Sequence, residues 1–184
     1  SAVPPFNGLK PYQQIPFQYS THYENNGTIE HYEFLADPSN DPREAFVKAL
    51  INDMKKDGDI LVYNIGFERG RLNELIRILP KYQTHLKAII DRMKDLMIPF
   101  KEKWYYVPAM KGSYSIKYVL PALVPSLSYD DLEINNGSLA SSTFANLHNL
   151  SNLDQIKKTR KHLLEYCKLD TLAMVKILEV LRSV

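Results

Sequence analysis

The run Ile60-Leu61-Val62-Tyr63-Asn64 constrains this chain most. It is continuously apolar, too short for a helix, and lies between the turn signal "DGD" and the helical pattern "GFERGRLNELIRIL". Such a run suits a strand covered on both faces, in a sheet flanked by helices. Upstream, "QQIPFQYSTHYE" alternates, with Ile15, Phe17, Tyr19, Thr21 and Tyr23 on one face. "NNG" offers a turn and "TIEHYEFLA" runs back, which predicts a hairpin. "SNDPREAFVKALINDMKK" predicts a helix, with Asp41 as N-cap, Pro42 at the first helical position and Glu44 completing a capping box. Phe46, Val47, Leu50, Ile51 and Met54 form its apolar stripe. The order strand, strand, helix, buried strand, helix predicts an α/β domain.

Further along, "KYQTHLKAIIDRMKDLMIPF" predicts a helix up to Pro99, and "KEKWYYVPAM" an extended segment. "GSYSIKYVLPAL" predicts a turn and a short helix capped by Ser113, and "SLASSTFANLHNL" another helix. From Leu153 onward, Ile156, Leu163, Tyr166, Cys167, Met174, Ile177 and Leu181 recur at helical spacing, predicting a long C-terminal helix. With 184 residues, 45% of them hydrophobic, one domain over 1–184 is expected to bury its own core. No apolar run approaches the ~20 residues of a membrane span, so no membrane partner is expected. "SAVPPFNGLK" carries no signal-peptide pattern. The one cysteine, Cys167, cannot form an internal disulfide, which fits a reducing, cytoplasmic setting. A net charge of +2 does not mark a polyanion binder, so any nucleic-acid site must come from local basic clusters.

Two acids break the pattern. Asp170 lies near the centre of the C-terminal apolar stripe, with Tyr166 one turn before it on the same face. A buried carboxylate costs several kcal/mol unless it is compensated. A salt bridge to a core Arg or Lys would compensate it, and so would a divalent cation. Glu68 shares the stripe of Leu72, Leu75, Ile76 and Leu79. A helix N-terminus favours an acid by about 0.5 kcal/mol. That accounts for an acid in the first turn and leaves its inward position unexplained. The carboxyl end of a strand is where α/β sheets usually place ligands.

Together these residues resemble a known constellation. Asn64-x-x-Phe67-Glu68 after a buried strand resembles the second motif of the DEDD exonucleases, within the ribonuclease H-like superfamily. Tyr166-x-x-x-Asp170 resembles the third motif of their tyrosine subclass. The whole text, including "PYQQIPFQYS", "GSYSIKYVLPAL" and "YCKLDTLAM", is also similar to an uncharacterised bacterial family of this type. The resemblance implies a ribonuclease H-like mixed sheet flanked by helices. It implies a metal-dependent nuclease, removing nucleotides from the 3′ end of single-stranded DNA or RNA. Two Mg²⁺ or Mn²⁺ ions would sit among four carboxylates. Glu68 and Asp170 would be metal ligands and Tyr166 would orient the attacking water. The chain departs from the pattern twice. Glu68 stands where an aspartate is usual, and the first motif, Asp-x-Glu on an opening strand, is absent, since no acid precedes Glu24. "SAVPPF" reads as the segment just after that strand. The chain is then expected to be a fragment of a longer protein with other domains, missing its first strand, binding metal weakly and inactive alone.

Other residues carry two readings each. Asp91 is an acid near the cleft or on a helix surface. Lys117 touches phosphate or is solvated, and Asn64 and Phe67 are candidates for substrate contact. His162 lies one turn before Tyr166, as a packing residue or a site residue. "KKTRK", 157–161, is a solvated turn or a backbone contact for nucleic acid. Trp104, Tyr105 and Tyr106 pack in the core or stack on bases. Against the nuclease stand a catalytically dead domain binding nucleic acid or a protein partner, and a structural domain with salt-bridged acids.

Overall fold

The computed structural model describes residues 13–25 and 27–184. The segment "SAVPPF", expected to follow a lost strand, lies outside the described residues, as does Asn26 of the turn. The chain is mixed α/β and divides into two compact units, 1–54 with 130–169, and 55–129 with 170–184. Its strands make two separate two-stranded sheets among the described residues, where the sequence predicted one mixed sheet.

The first unit is built on the expected hairpin. β1 (Gln18–Asn25) pairs antiparallel with β2 (Thr28–Leu35), in register from Gln18↔Leu35 to Asn25↔Thr28. Gly27 at φ 81 supplies the left-handed residue of the short connection, a conformation that side chains disfavour. His22 and His31 are cross-strand partners with ring centroids 4.5 Å apart, and His31 Nε2 lies 2.9 Å from Ser20 Oγ. Burial, then the neighbouring charges of His31 and Lys168, hold the His22 pKa down at about 4. α1 (Arg43–Asp53) buries Phe46, Val47 and Leu50. The N-cap is Pro42, where Asp41 was expected, and no side chain caps the helix. Asp41, one position earlier, accepts the Arg43 amide at 3.0 Å, and Glu44 ion-pairs with Lys48 at 3.1 Å.

Tyr19 ties hairpin to helix. Its ring meets Phe46 edge-on at 5.4 Å, and its hydroxyl donates to Asp53 at 2.5 Å. α6 (Gly137–Asn146) is capped by Asn136, whose side chain accepts from the Leu139 amide at 2.8 Å. Phe144 of α6 stacks on Phe17 with centroids 4.1 Å apart, both rings fully buried. The C-terminal helix α7 (Leu153–Leu181) contributes residues 153–169 here. From it Arg160 donates to the carbonyls of Ala36 at 2.8 Å and Leu35 at 2.9 Å. A charged donor thereby satisfies two carbonyls where β2 ends. Within "KKTRK", Arg160 thus has a structural task, and Lys157, Lys158 and Lys161 are exposed.

The second unit holds β3 (Ile60–Val62), α2 (Ile65–Ile78), α3 (Gln83–Asp91), β4 (Met93–Asp95), the short α4 (Ile98–Lys101), α5 (Ile116–Leu123) and residues 170–181 of α7. The helix expected to reach Pro99 stops at Asp91. The chain then forms β4, parallel to β3 with Ile60↔Met93 and Val62↔Asp95 in register. Parallel partners need a crossover, and α2 with α3 supply it. Arg92 fixes the entry to β3 by donating to the carbonyls of Lys55, Asp57 and Gly58. Ile60, Leu61 and Val62 are each half-buried, not covered on both faces as the sequence implied. β3 has one strand neighbour among the described residues. Leu72, Leu75, Leu86, Ile89, Val119 and Ile177 are among the buried core of this unit. "KEKWYYVPAM" ends α4 and continues through loop into a 3-10 turn at Pro108–Met110, where an extended segment was expected. α5 starts after Ser115, not Ser113, whose hydroxyl instead accepts the Ser115 amide at 3.2 Å. Among the described residues no helix is long and apolar enough to cross a membrane.

Candidate functional site

Beyond Val62 the chain must reverse quickly to enter α2. Asn64 does this in the left-handed region, φ 76 and ψ 73, which asparagine tolerates better than most residues. The turn is held from β4. Asp95, opposite Val62, accepts from the Asn64 amide at 3.1 Å, the Ile65 amide at 3.0 Å and the Met97 amide at 3.0 Å. One carboxylate thereby satisfies the first amides of α2 and seats their partial positive charge.

This turn puts Phe67 and Glu68 in the first turn of α2. Phe67 is exposed, and the Arg71 guanidinium lies 5.7 Å from its ring centroid. Glu68 points inward and is half-buried. Burial raises the pKa of its carboxyl, the charge of Asp170 raises it further, and Arg71 opposes the shift. A half-buried acid whose ionisation a second acid in the same unit opposes is placed as a cation ligand or a proton-handling group would be.

Asp170 is half-buried on α7, and Tyr129 donates a hydrogen bond to its Oδ1 at 2.8 Å. Lys117 Nζ lies 5.7 Å from the centroid of the Tyr129 ring, within reach of a cation–π contact. Glu68, Lys117, Tyr129 and Asp170 are thus brought together in the second unit. Tyr63 donates to the Tyr114 carbonyl at 2.6 Å, anchoring the loop before α5 at the same strand end.

The remaining expected residues fall elsewhere. Asp91 is exposed at the end of α3, as a helix-surface acid. The acid at the carboxyl end of β4 is Asp95. Tyr166 is one turn before Asp170 on α7 and belongs to the first unit. It is buried, and a Cβ at Gly137 would lie 3.8 Å from its hydroxyl. His162 is half-buried. Trp104 and Tyr106 are exposed and Tyr105 is half-buried, its ring meeting Phe100 edge-on at 6.2 Å.

Sequence reasoning missed Asp95 and Tyr129. Asp95 sits inside a helical-looking run, and only its pairing with Val62 reveals it. Tyr129 lies in "SLSYDDL", which reads as a polar loop. Its one signal is a large aromatic with a polar tip in that setting. Among the described residues no three His, Cys, Asp or Glu side chains gather as a metal-holding group.

Residues 1–115 match the family described as "Domain of unknown function (DUF2779)". Among curated proteins, the chain is 31% identical to "Uncharacterized protein UU173" of Ureaplasma parvum, over 53% of this chain and 17% of that protein. It is 28% identical to "Uncharacterized protein MG366 homolog" of Mycoplasma pneumoniae, over 96% of this chain and 30% of that protein. The chain therefore spans less than a third of the length of either relative. No solved structure matches it.

Proposed function

This chain belongs to the DUF2779 family, and we propose that it is a ribonuclease H-like domain of a metal-dependent nuclease that hydrolyses phosphodiesters from a 3′ end in the cytoplasm. The observation that carries the proposal is the placement of two motif acids in one unit, Glu68 in the first turn of α2 and Asp170 on α7, near enough for the charge of Asp170 to raise the Glu68 pKa. Both acids belong to the motifs that resemble the DEDD exonucleases, and they lie 102 positions apart, on different helices.

Mg²⁺ or Mn²⁺ fits these residues. The donors are hard oxygens on two half-buried acids, the kind of ligand a divalent cation takes. A bound divalent ion supplies Lewis acidity and lowers the pKa of a water. The chain's own groups do the rest. Tyr129 fixes the rotamer of Asp170 through its hydrogen bond. Lys117 offers a positive charge beside that pair for a phosphate oxygen. Asn64 and Phe67, exposed at the turn, contact the terminal nucleotide. The role of orienting the water comes to Tyr166 from the motif resemblance alone.

The test is release of nucleotides from 3′-labelled and 5′-labelled single strands by the full-length protein, with Mn²⁺ and with chelator. Cleavage that needs the metal, proceeds from the 3′ end and disappears in Asp170→Asn supports the proposal. Tyr166→Phe should slow it by about 10²-fold, the usual scale of acid–base contributions. Cleavage indifferent to chelator or to Asp170→Asn defeats it. A second reading, a domain that binds without cleaving, is favoured by the finding that no third metal-ligating side chain joins the two acids among the described residues. Full-length protein that binds single strands but releases no nucleotide with either metal would establish that reading.

A further inference from the structure

Every large aromatic side chain that is exposed among the described residues lies in the second unit: Phe67, Trp104, Tyr106, Tyr114 and Tyr118. Four of the five fall within residues 104–118. Trp104 is 74% exposed, and Tyr106, Tyr114 and Tyr118 are 46–49% exposed. Single exposed rings are ordinary on a protein surface, but four in fifteen residues are not.

The segment is held in shape. The Gly112 amide donates to the Tyr106 hydroxyl at 3.2 Å, joining the stretch at 104–106 to the turn before Tyr114. Tyr63 holds the Tyr114 carbonyl at the end of β3. The backbone is left-handed at Lys103 (φ 59), Lys111 (φ 52) and Gly112 (φ 76). Lysine gains nothing from that conformation, so these turns are set by the surface they build and not by local preference.

Charge separates the candidate occupants. Residues 101–118 carry Lys101, Lys103, Lys111 and Lys117 against a single acid, Glu102. The first three lysines are exposed and lie among the rings in the chain, two before Trp104 and one between Tyr106 and Tyr114. A surface made for a protein partner depletes lysine at its centre. A surface made for a single-stranded nucleic acid needs both features: flat faces for bases and cations for the backbone between them. The geometry points to residues 101–118 as a stacking platform for single-stranded nucleic acid, with Trp104, Tyr106 and Tyr118 taking bases and Lys101, Lys103 and Lys111 the phosphates. This deepens the nuclease reading by giving its substrate a second foothold, yet it requires no cleavage and can fail separately.

Trp104 is the sole tryptophan of the chain, so its fluorescence reports on the platform alone. The chain is titrated in chelator, which silences metal-dependent cleavage, with twelve-nucleotide oligo(dU), oligo(U) and a duplex of matched length. Saturable quenching by both single strands, weaker with duplex, is expected. Trp104→Ala and Tyr118→Ala should each weaken binding of a labelled single strand, followed by anisotropy, by roughly five- to hundredfold. Replacing Lys103 and Lys111 by Ala should flatten the dependence of log affinity on log salt by about 0.7 per lost phosphate contact. These side chains are exposed, so unchanged circular dichroism confirms the fold in each variant. Unquenched Trp104, equal affinity in the aromatic variants, or a salt slope that ignores the lysines overturns the platform. A preference between oligo(dU) and oligo(U) above tenfold, with quenching retained, would support the platform and name the sugar it reads.

Discussion

Tyr129 donates its hydroxyl hydrogen to Asp170 across 2.8 Å, although the two are 41 residues apart and Asp170 interrupts an apolar stripe. The bond holds a half-buried carboxylate in place. Tyr129→Phe should therefore destabilise the chain by about 1.5–3 kcal/mol, the range for hydrogen bonds to charged groups. Asp170→Asn keeps an acceptor for the same hydroxyl and should cost less. Urea unfolding at pH 7 of both variants measures the difference, and equal losses would show that the bond contributes little.

Glu68 should betray the acid pair through pH. Its folded-state pKa lies above its ordinary value of 4.5, so folding favours the protonated form. That contribution is complete below pH 4.5 and is lost as pH rises through the folded-state value. Glu68→Gln imitates the protonated acid, so it should be more stable than the parent at pH 8 and no more stable near pH 4. A divalent ion reverses the preference. Mn²⁺ should raise the melting temperature more at pH 8 than at pH 5, by an amount equivalent to about 1.4 kcal/mol at tenfold over Kd. The Mn²⁺ effect should vanish in Glu68→Gln and in Asp170→Asn.

Asp95 accepts three amides, so its removal should be felt at the turn before the core. Asp95→Ala leaves those amides unpartnered and should cost about 2–4 kcal/mol. Asp95→Asn presents an amide donor to at least one N–H and should recover only part of that. Asn64→Ala, which loses a residue tolerant of the left-handed region, should cost about 1 kcal/mol. Hydrogen exchange at Asn64 and Ile65 distinguishes local release from global unfolding. Unchanged protection there in Asp95→Ala would mean that the carboxylate is not what holds the turn.

The hairpin of the first unit should be acid-sensitive. His22 is depressed to about 4 from its ordinary 6.5, chiefly by burial and then by His31 and Lys168. Its contribution is complete above pH 6.5 and is lost as pH falls through about 4. After discounting for solvent exposure, the loss attributable to His22 is about 1 kcal/mol. His22→Phe keeps a ring opposite His31 and removes the titration. The stability gap between parent and variant should change across that window and nowhere else between pH 4 and pH 8.

Elements whose signals are local could be read from sequence. The hairpin was visible because Tyr19 and its neighbours alternate, α1 because Asp41 and Pro42 mark its start, and α7 because its apolar stripe runs for eight turns. β4 was not visible. Its three residues include one buried side chain, Met93, and they exist as a strand only because β3 pairs with them. Asp95 was lost with β4, and Asp91 was considered in its place. β3 itself was found, but its cover was overestimated, since an apolar run does not tell how many neighbours will shield it. Glu68 and Asp170 stood out because each violates its own helix's periodicity. Tyr129 violates nothing locally, so its service to Asp170 appears only in three dimensions. Trp104, Tyr105 and Tyr106 had two readings in sequence, and solvent exposure favours the surface one for Trp104 and Tyr106; the exposure of Tyr114 and Tyr118 was not read at all.

The left-handed turn at Asn64 also fixes an order of assembly. Asp95, which holds it, follows 31 positions later and reaches it only when β4 has closed the α2–α3 crossover against β3. On a ribosome adding roughly 5–20 residues per second, Glu68 emerges seconds before the residue that aims it. During that interval α2 can form as a helix, but its first turn has no seat and its acid no fixed direction. Any sequence change that delays the closing of β4 therefore lengthens the time in which the chain has its helices and not yet its site.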